Sequence, residues 1–146
     1  MKSLDTNVLL YALNADCAEH VRARATVEHA LREYDQWIIA DQVYFELYRL
    51  LRNPAVLSRP LAADEAAETV GWYRNRSGWL HCAYEPGMMK QVSSLWSDKS
   101  FPGRNTFDLV LAVTLGSNGV REFLTRNADD FLAYDLFIVR NPIDGS

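Results

Sequence analysis

The chain predicts an α/β fold: a three-layer α/β/α arrangement around a central parallel sheet of four to five strands. Three observations lead there. Short apolar runs alternate with longer helix-forming stretches from one end of the sequence to the other. One late segment, FDLVLAVTLGSNG (107–119), is apolar on nearly all sides, as a helix buried against a sheet is. Polar residues stand directly after the apolar runs, and open parallel sheets bind ligands at the carboxyl ends of their strands.

The elements follow in order. Residues 1–5 read as the first strand, and 7–13 and 18–34 as helices broken near Asn14-Ala15-Asp16. Within the second helix, RARATVEHALREY (22–34) spaces its apolar residues helically. WIIA (37–40) is a short apolar strand, and Asp41 is placed to N-cap the helix QVYFELYRLLRN, which Pro54 ends. Residues 61–76 read as a helix starting near Ala63 or Asp64, and WLHCAY (79–84) as a strand. Pro86 opens a helix reaching about Trp96, and SFPGRNT (100–106) is a loop by its Pro and Gly. After the apolar helix 107–119 come two last strands, 122–125 and 137–141.

At 146 residues, with 49% apolar and 23% charged, the chain is expected to form a single domain over 1–146. No run approaches the roughly 18 apolar residues of a membrane span. Asp5 falls where an export signal would need its apolar region, so a cytoplasmic location is expected. Cys17 and Cys82 lie in different segments with no metal-ligand spacing, which suits reduced thiols. A net charge of −4 excludes a broadly basic nucleic-acid-binding face. Binding of nucleic acid would have to use local basic groups or bound cations.

The polar residues after strands are Asp5-Thr6-Asn7, Asp41 and Thr125-Arg126-Asn127. Asp5 could simply cap a helix, but three capping residues in a row exceed what a cap needs. Glu46 lies within VYFELYRLL, bordering the apolar face of Val43, Leu47, Leu50 and Leu51. It reads either as an exposed partner of Arg49 or as a carboxylate directed into a cleft. Asp108 opens the apolar helix, where the helix dipole alone would favour it. In TRNADDF (125–131), Asn127, Asp129 and Asp130 sit on a loop that starts a short helix. Carboxylates meeting within about 5 Å would repel by roughly 3 kcal/mol per pair at an effective dielectric near 20, so such a cluster calls for a cation. Oxygen ligands without a His or Cys cluster suit Mg²⁺ or Mn²⁺ and phosphoryl chemistry.

MKSLDTNVLLYAL, Glu46 on the helix after the second strand, NTFDLVLAVTL and FLTRNADDF together resemble the PIN-domain nucleases, and among them the VapC-type toxins of bacterial toxin–antitoxin pairs. The resemblance spans nearly the whole chain. It implies a PIN-like fold and a metal-dependent endoribonuclease cleaving RNA with Mg²⁺ or Mn²⁺. By position it implies Asp5, Glu46 and Asp108 as catalytic metal ligands. Some members carry an Asp where this chain has Asn127, so Asp129 or Asp130 would complete the site, or three acids would serve. Thr6, Asn7, Arg104, Thr125 and Asn127 are the expected substrate-binding residues. An RNA substrate, a cognate antitoxin protein covering the site and a homodimer are the implied partners, with no membrane.

Trp72, Tyr73, Arg74, Arg76 and Trp79 mix aromatics with arginines, a combination that suits single-stranded nucleic acid or, more plainly, a core with solvated arginines. Two other functions stay open on sequence alone. One is a catalytically weak PIN-fold module that binds nucleic acid or protein. The other is a phosphohydrolase of another α/β fold, although the aspartate-nucleophile type needs a second Asp where Asn7 stands.

Overall fold

The computed structural model describes residues 1–144. In chain order its elements are β1 (Lys2–Leu4), α1 (Thr6–Leu13), α2 (His20–Arg32), β2 (Ile38–Ala40), α3 (Asp41–Leu51), α4 (Ala63–Arg76), β3 (Leu80–Cys82), α5 (Met89–Trp96), α6 (Thr106–Ser117), β4 (Glu122–Leu124) and β5 (Ile138–Arg140). Short 3₁₀ turns fill the joints, among them Gly103–Asn105 before α6 and Ala128–Asp130 after β4.

All strands pair in parallel, in two ladders: β1-β4-β5 and β2-β3. A single bridge between Lys2 and Trp37 joins them, so five strands lie side by side as β3-β2-β1-β4-β5. The expected central sheet is present, divided into three strands and two. The chain runs outward from β1 through β2 to β3, then returns to the other side of β1 as β4. That reversal between β1 and β4 is the topological switch point where such sheets bind ligands. Right-handed crossovers send the outward helices to one face and the returning ones to the other. The contacts agree: α1 packs on α2 and α3, α3 on α4, and α5 on α6.

The core is continuous through the sheet. Leu4, Leu9, Trp37, Ile39, Leu47, Leu51 and Phe123 are all buried, and Phe123 meets Phe131 edge-on with ring centroids 4.9 Å apart. A second cluster, Val92, Leu109 and Val113, seals α5 against α6. Within α6 every residue from Leu111 to Leu115 is buried, as its all-round apolar pattern requires.

Some local expectations shift. Asp41 is not the N-cap of α3; Ala40 holds that position, and the Asp41 carboxylate instead accepts from Arg74 Nε at 2.7 Å. The predicted helix 18–34 stops at Arg32, and a separate 3₁₀ turn covers Tyr34–Gln36. Of the aromatic–arginine segment, Tyr73 and Trp79 are core: their rings stack 5.6 Å apart, and the Trp79 indole donates to the Ala30 carbonyl. Cys17 and Cys82 are free thiols. Among the described residues no helix is long and apolar enough to cross a membrane.

Candidate active site

Asp5 stands where β1 gives way to α1, at the switch point. Its backbone is extended, and its Oδ1 accepts the Thr6 N–H at 2.7 Å, so it does cap α1. Its other oxygen has a different task. Oδ2 accepts the Thr125 hydroxyl at 2.7 Å and the Asn7 side-chain amide at 3.3 Å. The parallel register of Leu4 beside Leu124 brings Thr125 next to Asp5. Thr125 Oγ1 in turn accepts from Asn7 Nδ2 at 3.3 Å and from the Asn127 N–H at 3.0 Å. Asn7 Oδ1 accepts the Arg126 N–H at 3.0 Å. The loop after β4 is thereby laced to the start of α1.

Burial pushes the Asp5 carboxyl up to about 6; the Thr125 and Thr6 hydrogen bonds oppose the rise, and the nearby charges of Glu46 and Asp108 add to it. Asp108, in the first turn of α6, is also raised, by burial first and then by Asp130 and Glu46. Glu46 and Asp108 thus act electrostatically on Asp5, and Asp130 and Glu46 on Asp108. Glu46 stands on the exposed side of α3. It is half exposed, with Arg49 4.0 Å away, yet its charge reaches Asp5 and Asp108. The Gln42 amide donates to the Phe107 carbonyl at 3.0 Å, which pins the start of α3 to the start of α6.

The remaining candidates separate. Asp129 is exposed and lines a polar cleft of about 400 Å³ with Arg126, Asn127 and Asn141. Asp130 also borders that cleft but bears on Asp108 as well. Arg104 is exposed on the turn that leads into α6. Thr6 and Thr125, expected to meet substrate, are buried and turned inward: Thr6 donates to the Val43 carbonyl at 3.4 Å, and Thr125 serves Asp5. Two residues escaped the sequence reading. Tyr134 lies close enough to Asp108 and Asp130 that both charges, after burial, raise its phenol. Its one sequence signal was a helical spacing of four from Asp130. Gln42 had no signal, because its partner is a backbone carbonyl.

The donor set is carboxylate oxygen only, which fits Mg²⁺ or Mn²⁺ by hardness. Among the described residues, however, no three His, Cys, Asp or Glu side chains stand as a ready metal cage. The acids stand as an electrostatically coupled set. That still suits Mg²⁺, which keeps several waters and is commonly held by one or two carboxylates together with substrate phosphate.

Comparison with known proteins gives a consistent result. A family model described as PIN domain matches residues 3–135. Ribonuclease VapC24 of Mycobacterium tuberculosis is 41% identical over 143 residues, covering 98% of this chain and 97% of the relative. Among solved structures, the sarcin-ricin-loop-cleaving toxin VapC20 of Mycobacterium tuberculosis superimposes with a TM-score of 0.67 at 14% identity, over 91% of this chain and 95% of the other. VapBC2 from Rickettsia felis, bound to a DNA fragment from its promoter, gives 0.66 at 17% identity, over 96% and 97%. FitAcB from Neisseria gonorrhoeae gives 0.64 at 20% identity, over 97% and 98%. At those identities the structural matches speak for the fold.

Proposed function

The chain belongs to the PIN-domain family, and from that premise we propose that it is a metal-dependent endoribonuclease, the toxin of a type II toxin–antitoxin pair. The full-length likeness to a ribonuclease supports cleavage of RNA. The observation that carries the mechanism is Asp5: a buried carboxylate at the switch point, held by Thr125 and Asn7, with Glu46 and Asp108 bearing on it.

Asp5, Glu46 and Asp108 would hold Mg²⁺ or Mn²⁺. When bound, such an ion supplies charge stabilisation for the scissile phosphate and a more reactive water. The chain's own contribution is positioning. Thr125 and Asn7 fix one carboxylate oxygen of Asp5, while Gln42 holds together the helices that carry Glu46 and Asp108. Asp130, beside Asp108, is the fourth acid of this reading rather than Asp129. Asn127 and Arg104 are exposed and available to the RNA backbone. The protein works in the cytoplasm as one PIN-like domain and a homodimer, and a cognate antitoxin covers the site.

The test is cleavage of labelled single-stranded RNA in EDTA, Mg²⁺ and Mn²⁺, beside hydrolysis of p-nitrophenyl phosphate. RNA cleavage that requires the metal, without ester hydrolysis, is expected. Ester hydrolysis alone would point to a phosphohydrolase, and neither activity would leave a binding module.

A further inference from the structure

We propose that the groove between α3 and α4 is a single-stranded RNA subsite, seating a base on Phe45 and Tyr48 and a phosphate on Arg74; this rests on the ribonuclease reading. The groove has a volume of about 580 Å³ and begins at Phe45, the residue before Glu46. That volume lies within the roughly 300–1,000 Å³ of small-molecule sites. One wall is α3. Phe45, Tyr48, Arg49 and Arg52 recur at helical spacing and so share one edge of that helix. Phe45 is 74% exposed, and the Arg52 guanidinium lies 5.8 Å over the Tyr48 ring. The floor is α4, where Ala67, Val70 and Gly71 are small.

Gly71 is informative. Glycine is the least helix-favouring residue after proline, and nothing in this fold demands it here: a methyl group would meet only Asn75 Nδ2, at 4.0 Å. Its effect is to keep the groove open. At the polar end, Asp41 holds Arg74 through Nε at 2.7 Å. Arg74 lines the groove, and its two terminal nitrogens have no hydrogen bond among the described residues, which leaves them for a phosphate.

Aromatic faces alternating with guanidinium groups are how sequence-tolerant single-strand sites are built. In a chain of net charge −4, Arg49, Arg52 and Arg74 bring three cations to this edge against the two acids Asp41 and Glu46, a local positive excess next to the acidic site. A second copy of the chain is the less suitable occupant. A two-fold interface here would bring the exposed Arg49 and Arg52 of both copies into one contact region, with only Asp41 and Glu46 of this edge to offset them.

The experiment measures fluorescence anisotropy of a labelled mixed-sequence single-stranded RNA in EDTA, so that nothing is cleaved. Phe45→Ala and Gly71→Leu should each weaken binding roughly 5- to 100-fold, with melting temperatures no lower than wild type. Truncating Phe45 removes no core, so that variant keeps the test decisive if Gly71→Leu fails to fold. Wild-type affinity in both folded variants would overturn the subsite while leaving the ribonuclease reading intact. So would light scattering that shows Gly71→Leu splitting a dimer with RNA affinity unchanged, since the face would then be an interface between copies. A wild-type protein that neither binds nor cleaves RNA would overturn both readings.

Discussion

Thr125 gives its hydroxyl proton to Asp5 at 2.7 Å across a sequence separation of 120 residues. Both groups are buried, so the bond cannot be replaced by water without rearrangement. A hydrogen bond to a charged group contributes about 1.5–3 kcal/mol.

Thr125→Val should therefore destabilise the protein by about 1.5–3 kcal/mol at pH 7 and weaken Mn²⁺ binding, because Asp5 loses the partner that orients it. Thr125→Ser, which keeps the hydroxyl, should restore both. Urea denaturation and Mn²⁺ calorimetry check this. Equal behaviour of the Val and Ser variants would show that the hydroxyl has no such role.

Asp5→Asn, Glu46→Gln and Asp108→Asn should each reduce metal-dependent RNA cleavage by at least ~100-fold while the protein stays folded, since metal assistance contributes several kcal/mol. Asp129→Asn should be close to wild type, and Asp130→Asn should be impaired. Single-turnover cleavage with circular dichroism on the same samples is the measurement. An Asp129→Asn loss matching Asp108→Asn would reverse the assignment of the fourth acid.

The acids also set a pH dependence without metal. Asp5 is raised from 3.8 to about 6 by burial, so between those values the folded chain binds more protons than the unfolded one. Its contribution is fully present below the unfolded value and is lost as pH rises through the folded value, a change of roughly 3 kcal/mol. Asp108 is raised in the same direction. In EDTA at pH 7, Asp108→Asn should melt higher than wild type, and the gap should narrow near pH 5. Mg²⁺ should stabilise wild type more than the variant. A variant that melts lower than wild type in EDTA at pH 7 would mark Asp108 as a structural cap.

His81 works in the opposite sense. Burial, then Arg74, lowers its imidazole to about 4, and Tyr44 Oη lies 2.8 Å from its Nε2. The fold thus favours neutral His81. That stability is present above the unfolded value of 6.5 and is lost as pH falls toward 4. In a ring-proton NMR titration His81 should stay neutral at pH 5.5; a midpoint near 6.5 would contradict it.

Gly78 has φ of +83°, and a Cβ there would lie 3.0 Å from the Tyr34 ring. Gly78→Ala should cost about 1–2 kcal/mol from the left-handed backbone alone, and more from the clash. Thermal melts check this, and a neutral substitution would mean that the turn before β3 relaxes freely.

The order of elements was legible because short apolar runs and a helical period near four leave different marks, and Pro86 and the Pro-Gly loop punctuate them. Asp5, Glu46 and Asp108, the acids proposed for the site, stood out by their place after strands and on apolar helices. Partners were not. Asp5 caps α1 with one oxygen and takes Thr125 with the other, and no local pattern announces a bond to a residue so distant. Tyr73 and Trp79 were open to two readings, and the plainer one, a core with solvated arginines, is the one their stacking bears out for these two rings. Strand ends moved by a residue or two because a terminal residue such as Asp5 continues the ladder through its N–H to Leu124 while already starting a helix.

The lone Lys2–Trp37 bridge is a seam between two half-sheets. Asp5 and Thr125 stand on one side of it, on adjacent strands, and keep their separation if the seam widens. Glu46 stands on the other side, on the helix that β2 feeds. A shear along this line would leave both ladders of hydrogen bonds intact, but it would have to break the bond from the Thr6 hydroxyl to the Val43 carbonyl. That stitch, one residue from Asp5 and three from Glu46, ties the two halves of the acidic site where the sheet itself is least continuous.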